Sequence, residues 1–332
     1  MVESIYCYIS RDSAMKKVLF LVNPVSGGVG GRRIKERILS ELQGMLPRNQ
    51  YSVEDTKVDC AQQARDACPE YETVVAVGGD GTLHQVVQGI ADVEQRPKVG
   101  IIPIGTGNDL AASLGIVDFF KSYGLHALLE LILKGKTIPL DVITLNGTYV
   151  FTNYFGMGND AKISNDFNKL RLTRFFPKES SVSINKIFYS ILGLSGGFYR
   201  IPFDIELRYR KEQCLTETMK VPRGVNEVLI TNLKSYAGGA CVSSKSSMDD
   251  GKFEVTIIAN NWQWLILHLT RFLKRPLDNC YPKLVQFQTD MLEIIFNGDS
   301  FYQIDGEVLG GFSEGGKHLI FQTASLLAMV VP

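Results

Sequence analysis

Short apolar segments alternate with helix-like segments along the first 140 residues of the chain. Val18–Val22 is an apolar run that ends at Asn23, and Ile34, Ile38 and Leu42 then recur at helical spacing. The predicted strands are 18–22, 51–58, 73–77 and 99–104, and the predicted helices are 32–46, 60–67, 83–90 and 110–114. Such alternation indicates a parallel β-sheet with helices on both faces.

The pattern changes at about residue 141, where strand-like segments follow one another with few helices between them. The predicted strands are 141–152, 204–209, 226–232, 253–259, 284–288, 291–296, 301–304 and 319–322. Closely spaced strands of this kind favour an antiparallel β-sandwich. We therefore expect a tail (residues 1–15), a parallel-sheet α/β domain (16–140) and a β-rich domain (141–332), with the last residues returning to the first domain.

Composition and charge narrow the classes of function. The 332 residues include 35 Lys plus Arg and 35 Asp plus Glu. The net charge is therefore zero, which argues against non-specific electrostatic binding of nucleic acid. The six cysteines form no Cys-x-x-Cys pair and none has zinc-ligand spacing, which is typical of free thiols in a reducing compartment. No apolar run approaches the roughly 18 residues of a membrane span. We expect a cytoplasmic protein.

Three glycine-rich turns follow three of the predicted strands. They lie at residues 26–31, 78–82 and 105–107, at the edge where ligands of such sheets bind. Glycine lets a backbone approach a phosphate closely, and successive N–H groups bind anions. Three such turns therefore indicate a polyphosphate ligand. Gly135-Lys136-Thr137 matches the end of a P-loop, but Glu130 occupies the position of the first glycine that this motif requires. The dinucleotide-binding motif Gly-x-Gly-x-x-Gly is not met either, because each partial match lacks the last glycine.

The glycine-rich segments resemble a known family. The sequences NPVSG (23–27), GGDGT (78–82) and PIGTGND (103–109) resemble, in order and spacing, the diacylglycerol kinase catalytic domain. The sequences NYFGMGNDA (153–161), SYAGG (235–239) and QIDGE (303–307) resemble its accessory domain. The resemblance extends from residue 16 to the C-terminus. The superfamily that these motifs indicate also includes sphingoid-base and ceramide kinases and, more distantly, NAD kinases and phosphofructokinases.

The resemblance implies which residues contact the nucleotide. They are Asn23, Pro24, Ser26, Gly27, Thr56, Gly78, Gly79, Asp80, Gly81, Thr82, Leu83, His84 and Thr106. His84 departs from the family, which usually has Asn at this position. A hydrogen-bonding role for His84 and simple packing at a helix N-terminus both stay open.

Two acidic residues are predicted to hold Mg²⁺ beside the ATP phosphates. Asp80 and Asp109 each follow a strand end, and Mg²⁺ prefers a few carboxylates plus water. The alternative is that each aspartate caps the helix that follows it.

The hairpin-like sequence Ile304-Asp305-Gly306-Glu307 supplies the candidate catalytic base. The lipid hydroxyl must lose a proton during its attack on the γ-phosphorus, and a carboxylate can accept that proton. The resemblance implies that Asp305 is the base, with Glu307 as its helper and Asp80 as the third catalytic residue. The alternative is an ordinary Asp-Gly surface turn.

A second, structural Mg²⁺ site is implied at residues 247–252. By resemblance to bacterial members, its ligands would be the Asp250 carboxylate and the carbonyl groups of Ser247 and Lys252. A plain hairpin turn is the alternative.

One segment is a candidate for contact with a membrane surface. Residues 262–269 contain both tryptophans, and Arg271, Lys274 and Arg275 follow them, a combination suited to anionic headgroups. The alternative is a core-facing helix with a polar end. Other basic groups could reach ATP or lipid phosphates: Lys169, Arg171, Arg174 and Lys178, and Arg32 with Arg33.

The resemblance implies a lipid kinase that uses ATP and Mg²⁺ to phosphorylate a lipid hydroxyl, with diacylglycerol as the first candidate substrate. A sphingoid base, ceramide or phosphatidylglycerol would keep every motif, and a catalytically weak lipid- or nucleotide-binding regulator is the remaining alternative. The expected partners are ATP, a diacylglycerol-like lipid and an anionic membrane surface, with a homodimer left open and nucleic acid not expected. We expect a cytoplasmic protein that associates transiently with membranes.

Overall fold

The computed structural model describes residues 17–27, 30–105, 107–171, 199–212, 215–309 and 317–332. The elements of the first half are β1 (Val18–Val22), α1 (Gly30–Met45), β2 (Tyr51–Asp55), α2 (Cys60–Ala67), β3 (Thr73–Gly78), α3 (Asp80–Ile90), β4 (Lys98–Pro103), α4 (Asp109–Ser113) and α5 (Ile116–Lys134). The first four strands are parallel, in the order β2-β1-β3-β4. Every residue of β1 and β3 is buried, as expected for strands that are covered on both faces.

The second half is built mainly from antiparallel strands. Its elements are β5 (Lys136–Leu145), β6 (Tyr149–Phe151), β7 (Tyr154–Gly158), α6 (Asn159–Arg171), β8 (Ile205–Glu212), β9 (Leu215–Val221), β10 (Glu227–Thr231), β11 (Ser235–Tyr236), β12 (Ala240–Cys241), β13 (Phe253–Ile258), α7 (Asn261–Leu273), α8 (Leu277–Cys280), β14 (Val285–Thr289), β15 (Met291–Phe296), β16 (Tyr302–Ile304), β17 (Glu307–Leu309) and β18 (Lys317–Val331). The second sheet has the order β14-β13-β10-β7-β16-β17 and is antiparallel throughout.

Strand β18 joins the two halves of the chain. Its first residues pair antiparallel with β15, its residues 321–331 pair antiparallel with β5, and Met329 near its end also pairs in parallel with Val99 of β4. The first sheet therefore continues as β2-β1-β3-β4-β18-β15-β8-β9. The predicted strand 319–322 is too short because the apolar run covers only part of β18. A second apolar run at residues 326–331 completes β18 and was not predicted as a strand.

The two sheets face each other across a core that contains Leu145, Phe155, Ile230, Ile294 and Phe321. This packing confirms the predicted combination of a parallel-sheet α/β half and an antiparallel β-sandwich half. A separate core lies between the parallel strands and the helices of the first half.

The main element that the hydrophobic pattern does not predict is α5. Its backbone turns at Gly124, where φ is +80°, so the apolar positions before and after this residue do not form one continuous helical stripe. Among the described residues, no helix combines the length and the apolar character needed to cross a bilayer.

Candidate active site

The turns after the parallel strands are tied together at one edge of the sheet. Backbone N–H groups of Asn23, Thr56 and Ile104 donate to carbonyl oxygens at the ends of neighbouring strands, at 2.8 to 2.9 Å. Predicted nucleotide-contacting segments that are far apart in the chain therefore lie side by side. Thr106 falls outside the described residues.

Glycine is required where these turns touch. A Cβ added at Gly105 would lie 2.2 Å from the Cα of Gly79, and one at Gly27 would lie 2.7 Å from the carbonyl oxygen of Ile104. Gly27 also has φ of +63°, which disfavours other residues. The turns pack backbone against backbone, the arrangement that a phosphate-binding edge needs.

Side chains complete this edge on one side. The Asn23 amide donates from Nδ2 to Thr82 Oγ1 at 3.0 Å, and its Oδ1 accepts from the Val25 N–H at 3.1 Å. Leu83 is buried in the first core, so that its predicted contact with the nucleotide would have to involve its backbone. Pro24 is half-buried next to these groups.

Asp80 joins the turn after β3 to the turn after β4. Its Oδ2 accepts from the Asn108 N–H at 2.6 Å and its Oδ1 from the Asp109 N–H at 2.8 Å. Asp80 thus caps α4, not the helix that it begins. Burial, the larger cause, and the nearby Asp109 carboxylate, the second, raise the pKa of Asp80 to about 7. The hydrogen bonds from the two N–H donors act in the opposite direction and lower this pKa.

Asp109 connects the same region to the second half of the chain. Both carboxylate oxygens accept from the Gly238 N–H, at 3.0 and 3.1 Å. Gly238 lies in the SYAGG segment, to which the sequence comparison with the family assigned no role. Its backbone contribution could have been suspected only from that motif.

The Asp80 and Asp109 pair fits a divalent cation in one respect. The buried Asp109 carboxylate lies near the half-buried Asp80 carboxylate, and their repulsion contributes to the raised pKa of Asp80. A cation would relieve that repulsion, while the N–H donors already bound leave each carboxylate few free lone pairs. In the described part of the chain, no group of three or more His, Cys, Asp or Glu side chains is arranged around a common metal position.

The predicted base, Asp305, is on a tight hairpin between β16 and β17. Asp305 has φ of +49° and Gly306 has φ of +86°, as in a two-residue primed turn. The alternative of a surface turn accounts for the backbone but not for the carboxylate, because the Asp305 side chain is only 2% exposed.

The Asp305 carboxylate binds a stretch of backbone about 150 residues earlier in the chain. Its Oδ1 accepts from the N–H groups of Asn153 and Tyr154 at 3.1 and 3.0 Å, and its Oδ2 accepts from the Thr152 N–H at 3.4 Å. These backbone donors join β6 to β7, and their role was not visible in the sequence.

His84 completes the environment of Asp305. Its Nδ1 lies 3.1 Å from Asp305 Oδ2, so the residue that departs from the family pattern touches the predicted base. Burial lowers the pKa of His84, but the hydrogen bond to Asp305 and the charges of Asp305 and Glu307 outweigh it, leaving the pKa raised. Glu307 reaches the same place, since a Cβ added at Gly81 would lie 3.0 Å from its Oε1.

The implied second magnesium segment folds as a turn against β5. Asp250 Oδ1 accepts from the Lys252 N–H at 3.0 Å, and the Gly251 N–H donates to Asp141 Oδ2 at 2.8 Å. The Ser247 hydroxyl donates to Asp249 at 2.7 Å. The Mg²⁺ at this turn stays a prediction.

The two tryptophans lie on opposite sides of α7. Trp264 is buried and donates from Nε1 to Asp160 at 2.7 Å, whereas Trp262 is 71% exposed. The core-facing alternative therefore describes one tryptophan and the surface prediction describes the other. Arg32, Arg33 and Lys169 are exposed, and Arg174 and Lys178 lie outside the described residues, as does the side chain of Arg171.

Comparison with known proteins agrees with this arrangement. The chain matches the diacylglycerol kinase catalytic domain over residues 17–145 and the diacylglycerol kinase accessory domain over residues 150–308. A diacylglycerol kinase of Bacillus subtilis is 28% identical over 251 residues, which is 74% of each chain. One from Staphylococcus aureus is 25% identical over 303 residues, covering 89% of this chain and 87% of the relative.

Solved structures show the same fold. A crystal structure of a candidate diacylglycerol kinase from Bacillus anthracis aligns with a TM-score of 0.71 at 20% identity, covering 98% of this chain and 99% of that chain. Yeast NADH kinase complexed with NADH aligns with a TM-score of 0.50 at 10% identity, covering 96% and 84%. From both family matches and the curated relatives, the chain belongs to the diacylglycerol kinase family and is a kinase.

Proposed function

We propose that this kinase transfers the γ-phosphate of ATP to the free hydroxyl of a membrane diacylglycerol, which yields ADP and phosphatidic acid. The observation that carries the proposal is the contact between the two halves. Asp305 on the β16–β17 hairpin meets His84 on the helix that follows the central glycine turn. A nucleotide along the glycine turns and an acceptor hydroxyl at the hairpin would then be neighbours.

The chain's own groups would divide the work as follows. Backbone N–H groups of the glycine turns, with Asn23 and Thr82, would hold the phosphates. The pair formed by the predicted base Asp305 and by His84 would receive the proton of the lipid hydroxyl, while its oxygen bonds to the γ-phosphorus and the bond to ADP breaks. Asp80 and Asp109 would hold Mg²⁺, which neutralises phosphate charge when it is bound.

The substrate lies in a membrane, and α7 offers a surface that could reach it. Trp262, Leu269, Phe272 and Leu273 are 71%, 42%, 76% and 54% exposed. Their spacing places most of them along one side of the helix, near Arg271 and two further basic residues that follow. Exposed aromatic and aliphatic side chains beside basic groups suit the headgroup region of an anionic bilayer.

The test is transfer of labelled γ-phosphate from ATP into lipid in mixed micelles with Mg²⁺. Diacylglycerol, sphingosine, ceramide and phosphatidylglycerol are offered in parallel, and Asp80→Ala is the comparison variant. We expect label in phosphatidic acid with the wild-type enzyme, and its loss with Asp80→Ala. Label in another lipid would replace the substrate and keep the class of reaction. Bound ATP without label in any lipid would reject the proposal.

A further inference from the structure

The Asp305 carboxylate has no lone pair left for a substrate proton. An ionised carboxylate offers about four acceptor positions. The N–H groups of Asn153 and Tyr154 occupy two of them, and the Thr152 N–H and His84 Nδ1 occupy the others. The side chain is also 2% exposed. Asp305 is thus enclosed by donors and shielded from an incoming hydroxyl.

His84 is the member of the pair that remains accessible. Its side chain is 17% exposed, and its Nε2 has no hydrogen-bond partner in the part of the chain that the structure describes. An ionised carboxylate can only accept, so the hydrogen bond at 3.1 Å places a proton on Nδ1 and leaves the Nε2 lone pair open. A carboxylate that holds an imidazole in this tautomer makes Nε2 a general base.

We infer that His84 Nε2, oriented by Asp305, is the catalytic base of this enzyme, so that Asp305 is a positioning residue. This inference rests on the proposed phosphoryl transfer. The O–H bond of the lipid hydroxyl breaks, its proton moves to Nε2, and its oxygen forms the new bond to the γ-phosphorus as the bond to ADP breaks. The imidazolium formed faces Asp305 at Nδ1 and returns its proton to water after the product leaves.

The charges around His84 favour this role. Asp305 and Glu307 face it from the hairpin, and Asp80 precedes it by one turn on its own helix. The carboxylates stabilise the imidazolium that proton transfer creates. Glu307 is the competing base, because it is exposed and makes no hydrogen bond in the part of the chain that the structure describes.

The first test compares His84→Asn, His84→Ala and Glu307→Gln. Asn keeps a hydrogen-bond donor toward Asp305 and has no basic nitrogen. We expect both His84 variants to lose about 10²- to 10³-fold in kcat with a smaller loss of ATP affinity, and Glu307→Gln to lose less in kcat. Free imidazole should restore part of the His84→Ala activity. If His84→Asn keeps kcat within about threefold of the wild type, the inference is rejected.

The second test does not depend on lipid phosphorylation. The chain has four histidines, so that the ring signals can be assigned by NMR with single variants. We expect the His84 ring to titrate above its ordinary pKa in the wild type and lower in Asp305→Asn, because the partner that stabilises its cation is removed. A His84 titration unchanged in Asp305→Asn would reject the oriented pair.

The control is His126→Asn. His126 also pairs with a carboxylate, Glu41 Oε2, at 2.7 Å, but its side chain is 60% exposed and far from the hairpin in sequence. This variant should leave kcat and the pH profile unchanged. Wild-type enzyme without lipid phosphorylation would defeat the proposed function. An active enzyme that is indifferent to His84 would defeat only the inference.

Discussion

The nucleotide edge and the Asp305 hairpin both hold together segments that are far apart in the chain, but they do so by different contacts. Along the nucleotide edge, short turns after consecutive strands are held by backbone contacts, and glycine is needed because a Cβ would collide with a neighbouring turn. At the hairpin, one side chain does the holding, and its partners come from residues 152–154 and from His84, 221 positions away.

This difference explains what a substitution can be expected to do in each place. A larger side chain at the nucleotide edge acts by steric collision, because the backbone atoms of neighbouring turns are already in contact. A change at the hairpin acts through hydrogen bonds and charge. Substitutions in the two places should therefore separate these two kinds of effect.

The largest effect is expected for Asp305→Asn. One carboxylate oxygen becomes an NH₂ group that faces donors, so both the backbone clamp and the orientation of His84 are weakened. We expect phosphoryl transfer to fall about 10³-fold and the free energy of unfolding to fall by about 2 kcal/mol. The measurements are labelled-phosphate transfer and urea unfolding.

Asp299→Asn is the control for that substitution, because Asp299 precedes the same hairpin and its side chain, which is 96% exposed, pairs with Lys317 and not with the groups that bind Asp305. It should change neither quantity appreciably. Equal losses in the two variants would mean that the effect of Asp305 is not specific to the buried clamp.

Gly105→Ala tests the packing of the nucleotide edge. The new Cβ would lie 2.2 Å from the Cα of Gly79, so the two turns must separate. We expect ATP affinity to fall at least tenfold and stability to fall by about 2 kcal/mol. Calorimetric titration with ATP and thermal unfolding measure the two effects.

Gly44→Ala is the matched glycine control within α1. A Cβ there meets nothing within 4 Å, and alanine is the better helix former. This variant should bind ATP normally, and its free energy of unfolding should rise by about 0.5 kcal/mol or more. A parallel loss of ATP binding would show that the effect at Gly105 is not local.

Glu254→Gln tests a buried acid on β13 of the second sheet. Burial raises the pKa of Glu254 to about 7, and its Oε2 has no partner among the described residues. Because the folded pKa is raised, the folded state binds more protons between about pH 4.5 and 7, and stability is lost as pH rises through that window. Glu254→Gln should therefore raise the free energy of unfolding by about 2 kcal/mol at pH 8 and change it little at pH 5. Urea unfolding at both pH values checks the sign.

The smallest effect is expected at the exposed side of α7. Trp262→Ala and Phe272→Ala should each weaken binding to phosphatidylglycerol-containing vesicles about threefold to tenfold, since each removes one interfacial aromatic group. ATP binding should be unchanged. Val58→Ala is the control, because Val58 is exposed on the first half of the chain. Equal binding by all three variants in a vesicle sedimentation assay would remove α7 from the proposed membrane surface.

The amino-acid sequence alone was enough to predict the repeated strand–turn–helix units of the first half. In strands β1 and β3 the apolar run is also the buried segment, so local pattern and tertiary burial coincide. The glycine turns were recognisable for the same reason. A backbone that must approach another backbone requires glycine whatever surrounds it, and the motifs built on those glycines identified the family.

The folded structure alone shows the direction of the Asp305 carboxylate, its contact with His84, and the pairing of β18 with β4, β5 and β15. An Asp-Gly hairpin has the same local sequence whether its carboxylate faces water or the interior. A strand does not encode which neighbours it will join at each end. These features depend on contacts between residues that are far apart in the chain, and such contacts leave no local pattern to be read.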